Sequence, residues 1–322
     1  MRTKVIFEDK DIIVIHKPAG IAVQTARIGQ QDVVSELKNY LAGKTFDNAA
    51  GKTIGNTLGK TTDKTSGKPT GKPTGASAVN SPYLGVIHRL DQPVEGVLVF
   101  AKNPKAAAAL SKQMQGGDFC KEYMAVVCGK APKTEENLVD YLKKDGDKAL
   151  VYNAEKPSNG KENAAEKHAS DPEAKKAVLH YTLLEEKCIE ETSIEEKCVA
   201  ENHVANNETE DRATKDKATK DKTAKDNQVE NNAATYLSLL RVQLETGRFH
   251  QIRAQLSNAG MPILADAKYG NEISNQMARN LRVRNVALCA VRLTFTHPIT
   301  GKNMEYTITP ENPAFTLFVK QE

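Results

Sequence analysis

Tryptophan is absent from the 322 residues, and aromatic side chains as a whole make up only 5% of them. Cysteine is also sparse. Cys120, Cys128, Cys188, Cys198 and Cys289 form no Cys-x-x-Cys pair, which argues against a zinc site or disulfide framework and suits a reducing compartment. No run approaches the ~18 apolar residues of a membrane span. Met1-Arg2-Thr3-Lys4 is followed by only three apolar residues before the acidic Glu8-Asp9, not by a long apolar run. A strong charge of either sign is missing too, since 45 Lys and Arg against 41 Asp and Glu leave +4. Such a mild basic excess is compatible with a nucleic-acid partner without requiring one. The expectation is a soluble cytoplasmic protein, monomeric, with no metal, membrane or obligate protein partner.

Apolar residues are themselves lacking in three stretches, at about 43–80, 153–173 and 187–233. In the first, Gly-Lys pairs begin at Gly43, Gly51, Gly59 and Gly67, and some continue into threonine as a phosphate loop would. A phosphate loop also needs a glycine five residues earlier, and Phe46, Ile54 and Thr62 stand in those places. In the third, Glu-Glu-Lys-Cys starts at both Glu185 and Glu195, and Lys-Asp recurs at Lys215, Lys220 and Lys225. Composition of this kind buries too little to order itself, so the stretches read as disordered low-complexity insertions. What remains is roughly 200 residues, enough for one core.

Those residues read mainly as strands. Val5-Ile6-Phe7 and Ile12-Ile13-Val14-Ile15 flank a polar turn, and Ile21-Ala22-Val23 resumes the pattern after Lys17-Pro18-Ala19-Gly20. Further strands are expected at Val86-Ile87, at Val97-Leu98-Val99-Phe100, and over 121–127, 177–184, 236–242, 286–296 and 304–309. Helices are expected over 31–42, over 104–116 and near 250–259. Because 236–242 resumes where 177–184 stops, the tract 187–233 reads as a loop spliced between antiparallel neighbours, and closing a long loop costs little. The fold class is α+β, with a mixed, largely antiparallel sheet and a few helices.

Two constellations carry polar chemistry. In Gly85-Val86-Ile87-His88-Arg89-Leu90-Asp91-Gln92-Pro93-Val94-Glu95-Gly96 a carboxylate lies in a turn between strands, beside a permanent cation that would keep it ionised. The same spacing suits a plain turn in which Asp91 caps the backbone and Arg89 is solvated. In Thr246-Gly247-Arg248-Phe249-His250-Gln251-Ile252-Arg253 donors pass from a glycine turn into a helix, where Arg248 and Arg253 can meet phosphates or a carboxylate. A capped helix with surface arginines fits those residues equally well. Tyr123, alone in its strand, is either packing or a platform for a base. A metal-dependent hydrolase built on His88, Asp91 and His250 would need a fuller ligand set.

Together these pieces resemble the RluA-type pseudouridine synthases. The resemblance rests on six motifs in order. They are Glu8-Asp9 to Gly20, His88-Arg89-Leu90-Asp91 to Lys102, Lys121-Glu122-Tyr123, Thr246 to Arg253, then Pro262-Ile263 with Asp266 and Tyr269-Gly270, and the tail from Leu293 to His297-Pro298 and Gly301. It covers roughly 200 residues and leaves only the low-complexity tracts outside. It implies a single catalytic domain that isomerises uridines in rRNA or tRNA without a cofactor. Asp91 would be the attacking carboxylate, Tyr123 the stacking aromatic that assists proton removal, and Arg253 the partner of Asp91. Arg89 would contact RNA or fill the gap left by the flipped nucleotide, and Leu288 would line the base pocket. His88, Arg248, His250 and Gln251 would contact RNA. The sequence departs from the family where Glu95 replaces a small hydroxyl residue, with expected effects on RNA contacts, and where Cys289 replaces histidine. The separate N-terminal RNA-binding domain of many members is expected to be absent. A catalytically silent RNA-binding protein on the same fold is the alternative.

Overall fold

The computed structural model describes residues 1–27, 29–53, 81–153, 171–189 and 235–318. Eleven strands join in one sheet. They are β1 (Lys4–Glu8), β2 (Ile12–Lys17), β3 (Gly85–Val86), β4 (Glu95–Ala101), β5 (Cys120–Cys128), β6 (Glu135–Asp145), β7 (Lys148–Asn153), β8 (Lys175–Ile189), β9 (Thr235–Leu244), β10 (Leu288–Thr296) and β11 (Asn303–Thr307). Their order is β1-β2-β4-β10-β5-β9-β8-β6-β7, with β3 on β4 and β11 on β10. Among the described residues five helices accompany them: α1 (Val33–Thr53), α2 (Pro104–Gly116), α3 (Gln251–Asn258), α4 (Glu272–Asn280) and α5 (Pro313–Thr316). The expected α+β class with a largely antiparallel sheet holds, because only β4 and β10 pair in parallel.

The central strands read as unbroken apolar runs because both faces of the sheet are covered there. Ile13 and Ile15 of β2, with Leu98 and Phe100 of β4, join the larger core cluster with Val33, Val34 and Leu37 of α1. Their alternates Ile12, Val14, Val97 and Val99 face Ala106 and Leu110 of α2. Asn103 caps α2 by accepting from the Ala106 N–H, and Pro104 follows it, where a missing N–H costs nothing. The parallel seam depends on Gly96 (φ +152°). A Cβ there would lie 2.5 Å from the Ala290 Cβ and 2.7 Å from the Ala290 backbone nitrogen.

Four features differ from the sequence reading. Residues 21–23 make only an isolated bridge, Ala22 to Asp32, where Lys17 draws the local carbonyls inward. Helix α1 runs on to Thr53, into the stretch taken as an insertion, through Lys, Ala and Asn residues with no proline to stop it. The rest of the first tract (54–80), most of the second (154–170) and 190–234 lie outside the described residues. The β6–β7 hairpin was not anticipated, although Gly146-Asp147 between alternating residues is a hairpin signal, with Gly146 at φ +54°. Helices α4 and α5 were also missed, each capped by an asparagine, Asn271 and Asn312.

Strands β8 and β9 pair antiparallel up to Ile189 and Thr235, so the chain enters and leaves 190–234 at adjacent positions. Deleting 190–232, with Ala233→Asn and Ala234→Gly supplying a two-residue turn, should shift the melting temperature by less than about 4 °C, or about 1 kcal/mol. A fall of tens of degrees in a thermal melt would show that the tract contributes to the core.

Candidate active site

Asp91 sits in the turn between β3 and β4, where its carbonyl accepts from the Val94 N–H at 3.1 Å. The loop after β2 is stitched to that turn. Gly20 N–H donates to the Gln92 carbonyl at 2.9 Å. Lys17, fully buried, donates from Nζ to the carbonyls of Ile21 (2.8 Å), Pro18 (3.0 Å) and Gln92 (3.2 Å). Lys17 is therefore a structural clamp within the electrostatic reach of Asp91. In the sequence Lys17 stands out only as the start of a break between strands and as part of the first family-like motif.

The opposite wall is the start of α3. Arg253 is buried and donates along two parallel bonds to Asp266, from Nε to Oδ2 and from Nη2 to Oδ1, both 2.7 Å. Its remaining terminal nitrogen, Nη1, reaches Asp91 Oδ2 at 2.9 Å. Asp266 is wholly buried, and its Oδ1 also accepts from the Lys268 and Tyr269 N–H groups. These bonds offset the cost of burying the pair, and the two carboxylates hold the Arg253 proton firmly despite burial.

His250 precedes α3 with φ +54°, a left-handed conformation rare outside glycine. Its Nε2 lies 3.6 Å from Asp91 Oδ2, and its Nδ1 lies 2.9 Å from the Tyr269 hydroxyl. That hydroxyl accepts from the Ala149 N–H at 2.6 Å, which leaves its proton to donate to His250 Nδ1. The neutral imidazole then carries its hydrogen on Nε2, toward Asp91. Burial favours this neutral form, and Arg253 and Lys268 add to it, against the opposing pull of Asp91.

Tyr123 lies in β5 between Ala290 of β10 and Val242 of β9, almost fully buried. Burial, then the negative charge of Asp91, pushes its phenol well up, so it stays protonated at neutral pH. Asp91, Tyr123, Arg253, His250, Leu288, Arg89 and Arg248 all line one cleft of about 1620 Å³. Arg89 and Arg248 are exposed there, and Arg248 Nε also donates to the Lys176 carbonyl at 2.9 Å. Seven Lys and Arg residues line the cleft against three Asp and Glu, a balance that favours a polyanion.

Three of the residues expected near RNA have polar atoms engaged within the protein. His88 is buried against Phe119, accepts from the Val99 N–H at 3.4 Å and is pushed down to about 3 by burial, so it supports the turn as a neutral ring. Gln251 is also buried. Its Oε1 accepts from Thr246 Oγ1 and the Arg248 N–H, both at 2.9 Å, and its Nε2 donates to the Val178 carbonyl at 3.1 Å. It shapes the loop at the cleft wall, with its polar atoms engaged inside the protein. Glu95 turns into the core, accepting from His16 Nε2 (2.9 Å) and from the Glu311 (2.7 Å) and Asn312 (3.2 Å) N–H groups, so it cannot alter RNA contacts directly. Cys289 is buried beside it. Among the described residues, His88, Asp91 and His250 do not converge as metal ligands. The two groups that do are Asp9, Asp11 and His297, and His16, Glu95 and Glu311.

A family profile described as RNA pseudouridylate synthase matches residues 11–258. The ribosomal large subunit pseudouridine synthase D of Zymomonas mobilis is 26% identical over 94% of this chain and 68% of its own length. That of Vibrio cholerae is 25% identical over 94% and 65%. The chain thus spans about two thirds of the length of these relatives. Among solved structures, human RNA pseudouridylate synthase domain containing 4 has a TM-score of 0.59 at 17% identity, covering 97% of this chain and 92% of its own. Human RNA pseudouridylate synthase domain containing 1 has a TM-score of 0.55 at 14% identity, covering 96% and 83%. Both share the fold.

Burial pushes Lys17 down to about 7 from 10.5, against the charges of Asp91 and Glu95. An unfolded lysine keeps its proton to about pH 10, so between pH 7 and 10 the unfolded chain binds more protons and native stability rises with pH. Urea unfolding of the wild type, relative to Lys17→Met, should show a gain of up to about 1.4 kcal/mol per pH unit in that window. Parallel pH profiles for the two proteins would contradict it.

Proposed function

Because this chain belongs to the RNA pseudouridylate synthase family, we propose that it isomerises specific uridines in ribosomal or transfer RNA to pseudouridine, with Asp91 as the catalytic carboxylate. The observation that carries this reading is the Asp91 carboxylate, held by buried Arg253 in a cation-lined cleft with Tyr123 on its wall. In the reaction the bond between ribose C1′ and uracil N1 breaks, the base turns, and C1′ bonds to C5. The proton displaced from C5 leaves, and N1 gains one. The exchange is redox-neutral and intramolecular, so it asks for no cofactor or metal.

The roles follow from position. Arg253 pairs with Asp91 and aims it. Tyr123 and Leu288 bound the space for a flipped uracil, and the neutral phenol of Tyr123 stacks and relays a proton instead of accepting one outright. Arg89 and Arg248, exposed at the cleft, meet phosphates or occupy the place of the flipped base. Flipping costs a few kcal/mol, which phosphate contacts and stacking offset. The protein would act as a monomeric, cytoplasmic enzyme with one catalytic domain. No helix among the described residues is long and apolar enough to cross a membrane.

The silent RNA-binding reading is disfavoured by Asp91 itself. A carboxylate in a groove for phosphates weakens binding, and binding alone gives no reason to hold one there on a buried guanidinium. Tritium release from ribosomal and transfer RNA labelled at uridine C5 tests the proposal. Wild type should release tritium, and Asp91→Asn should fold with the wild-type melting temperature yet fall at least about a thousandfold in release. Turnover retained by the variant would place the chemistry on another group. No release from wild type on either RNA pool would favour the silent binder.

A further inference from the structure

Phe249 has no part in the roles above, yet its placement is unusual. It sits between Arg248 and His250 at the cleft, 38% exposed, one of few large apolar side chains among the described residues left in water. Its ring lies nearly parallel to that of His250, with centroids 3.7 Å apart and planes at 21°. His250 in turn is fixed by Tyr269 on one nitrogen and faces Asp91 with the other. The left-handed backbone at His250 holds the two neighbouring rings in register. Lys144 Nζ, from the β6–β7 hairpin, lies 5.0 Å from the Phe249 centroid, and Arg248 is exposed beside it. The cleft, at about 1620 Å³, exceeds the roughly 300–1,000 Å³ of a small-molecule pocket. It therefore has room for more of an RNA strand than the reacting nucleotide.

We infer that Phe249, stacked on His250, is a second base subsite that takes the nucleobase next to the target uridine, with Lys144 and Arg248 meeting its phosphate. This inference rests on the RNA reading of the cleft and adds a positioning element to it. A nucleotide gripped beside the reacting one fixes the strand's register over Asp91. Every base has a π face, so the platform favours a stacked neighbour of any identity and rejects a gap in the strand.

The absence of tryptophan supplies the test. Phe249→Trp places a single indole at the platform, read by fluorescence, while anisotropy of end-labelled RNA reports occupancy. The probes are a twelve-nucleotide oligouridylate, the same length with abasic sites flanking one central uridine, and inorganic phosphate. At equal occupancy the oligouridylate should quench the indole, and the abasic strand and phosphate should not. Phe249→Leu should melt at the wild-type temperature and bind oligouridylate about five- to a hundredfold more weakly, with Phe249→Tyr restoring affinity. Oligouridylate that binds without quenching, or equal affinity for Phe249→Leu and wild type, overturns the subsite alone. A wild-type protein that binds no RNA overturns both the subsite and the RNA reading.

Discussion

Arg253 lies between two carboxylates of unequal burial, and the site is organised around that asymmetry. Asp266 is wholly enclosed and takes two of the guanidinium's donors, while Asp91 sits at the cleft and takes one. A buried pair of this kind gains little net stability, because desolvation consumes most of the Coulombic attraction. Removing one partner is another matter, costing about 3–5 kcal/mol through the charge left behind. The fork of Arg253 is thus locked by Asp266, and the locked fork fixes where Asp91 can sit. Lysine, with a single ammonium, could not reproduce that geometry.

The rest of the fold brings the two halves of this bond together. Asp91 arrives on the turn before β4, and Arg253 arrives on α3, 162 positions later in the chain. The turn is held from below by Lys17 and by the β4–β10 seam that Gly96 permits. The helix is held by Gln251 and Gln255, which bond to the backbone of β8 and to Asp140 of β6. Polar groups buried in this way tolerate few alternative arrangements, since each displaced donor would be left unpaired. If Asp91 reacts as proposed, such rigidity serves it, because small misplacements cost large factors in rate.

How much of this was readable from the residues depended on distance along the chain. The inner strands were legible because β2, β4 and β10 are apolar on both faces, and β5, β8 and β9 carry β-branched and aromatic runs. Asp91, Tyr123 and Arg253 were singled out from motif resemblance, and their convergence on one cleft is what the fold adds. The roles of Lys17, Asp266 and Tyr269 were not legible, although all three stood in quoted motifs. Each acts through partners whose proximity only the folded chain creates, such as Tyr269 with Ala149, 120 positions away. His88, Gln251 and Glu95 were placed near RNA by comparison with the family's motifs, and the fold engages polar atoms of all three with backbone and internal partners. The β6–β7 hairpin is marked in the sequence only by its Gly146-Asp147 turn, and its pairing from Asp140 to Asp145 comes from the fold.

On the proposed reading, Asp266, which lines no part of the cleft, sets the reactivity of Asp91 through Arg253. It is tested most directly by Asp266→Asn, comparing RNA affinity with the single-turnover rate of tritium release from RNA labelled at uridine C5. The account predicts an affinity within about twofold of wild type and a rate at least about tenfold lower, the loss falling on the chemical step alone. An unchanged rate in a folded Asp266→Asn protein would contradict it, because Asp91 would then be held by something other than the locked guanidinium.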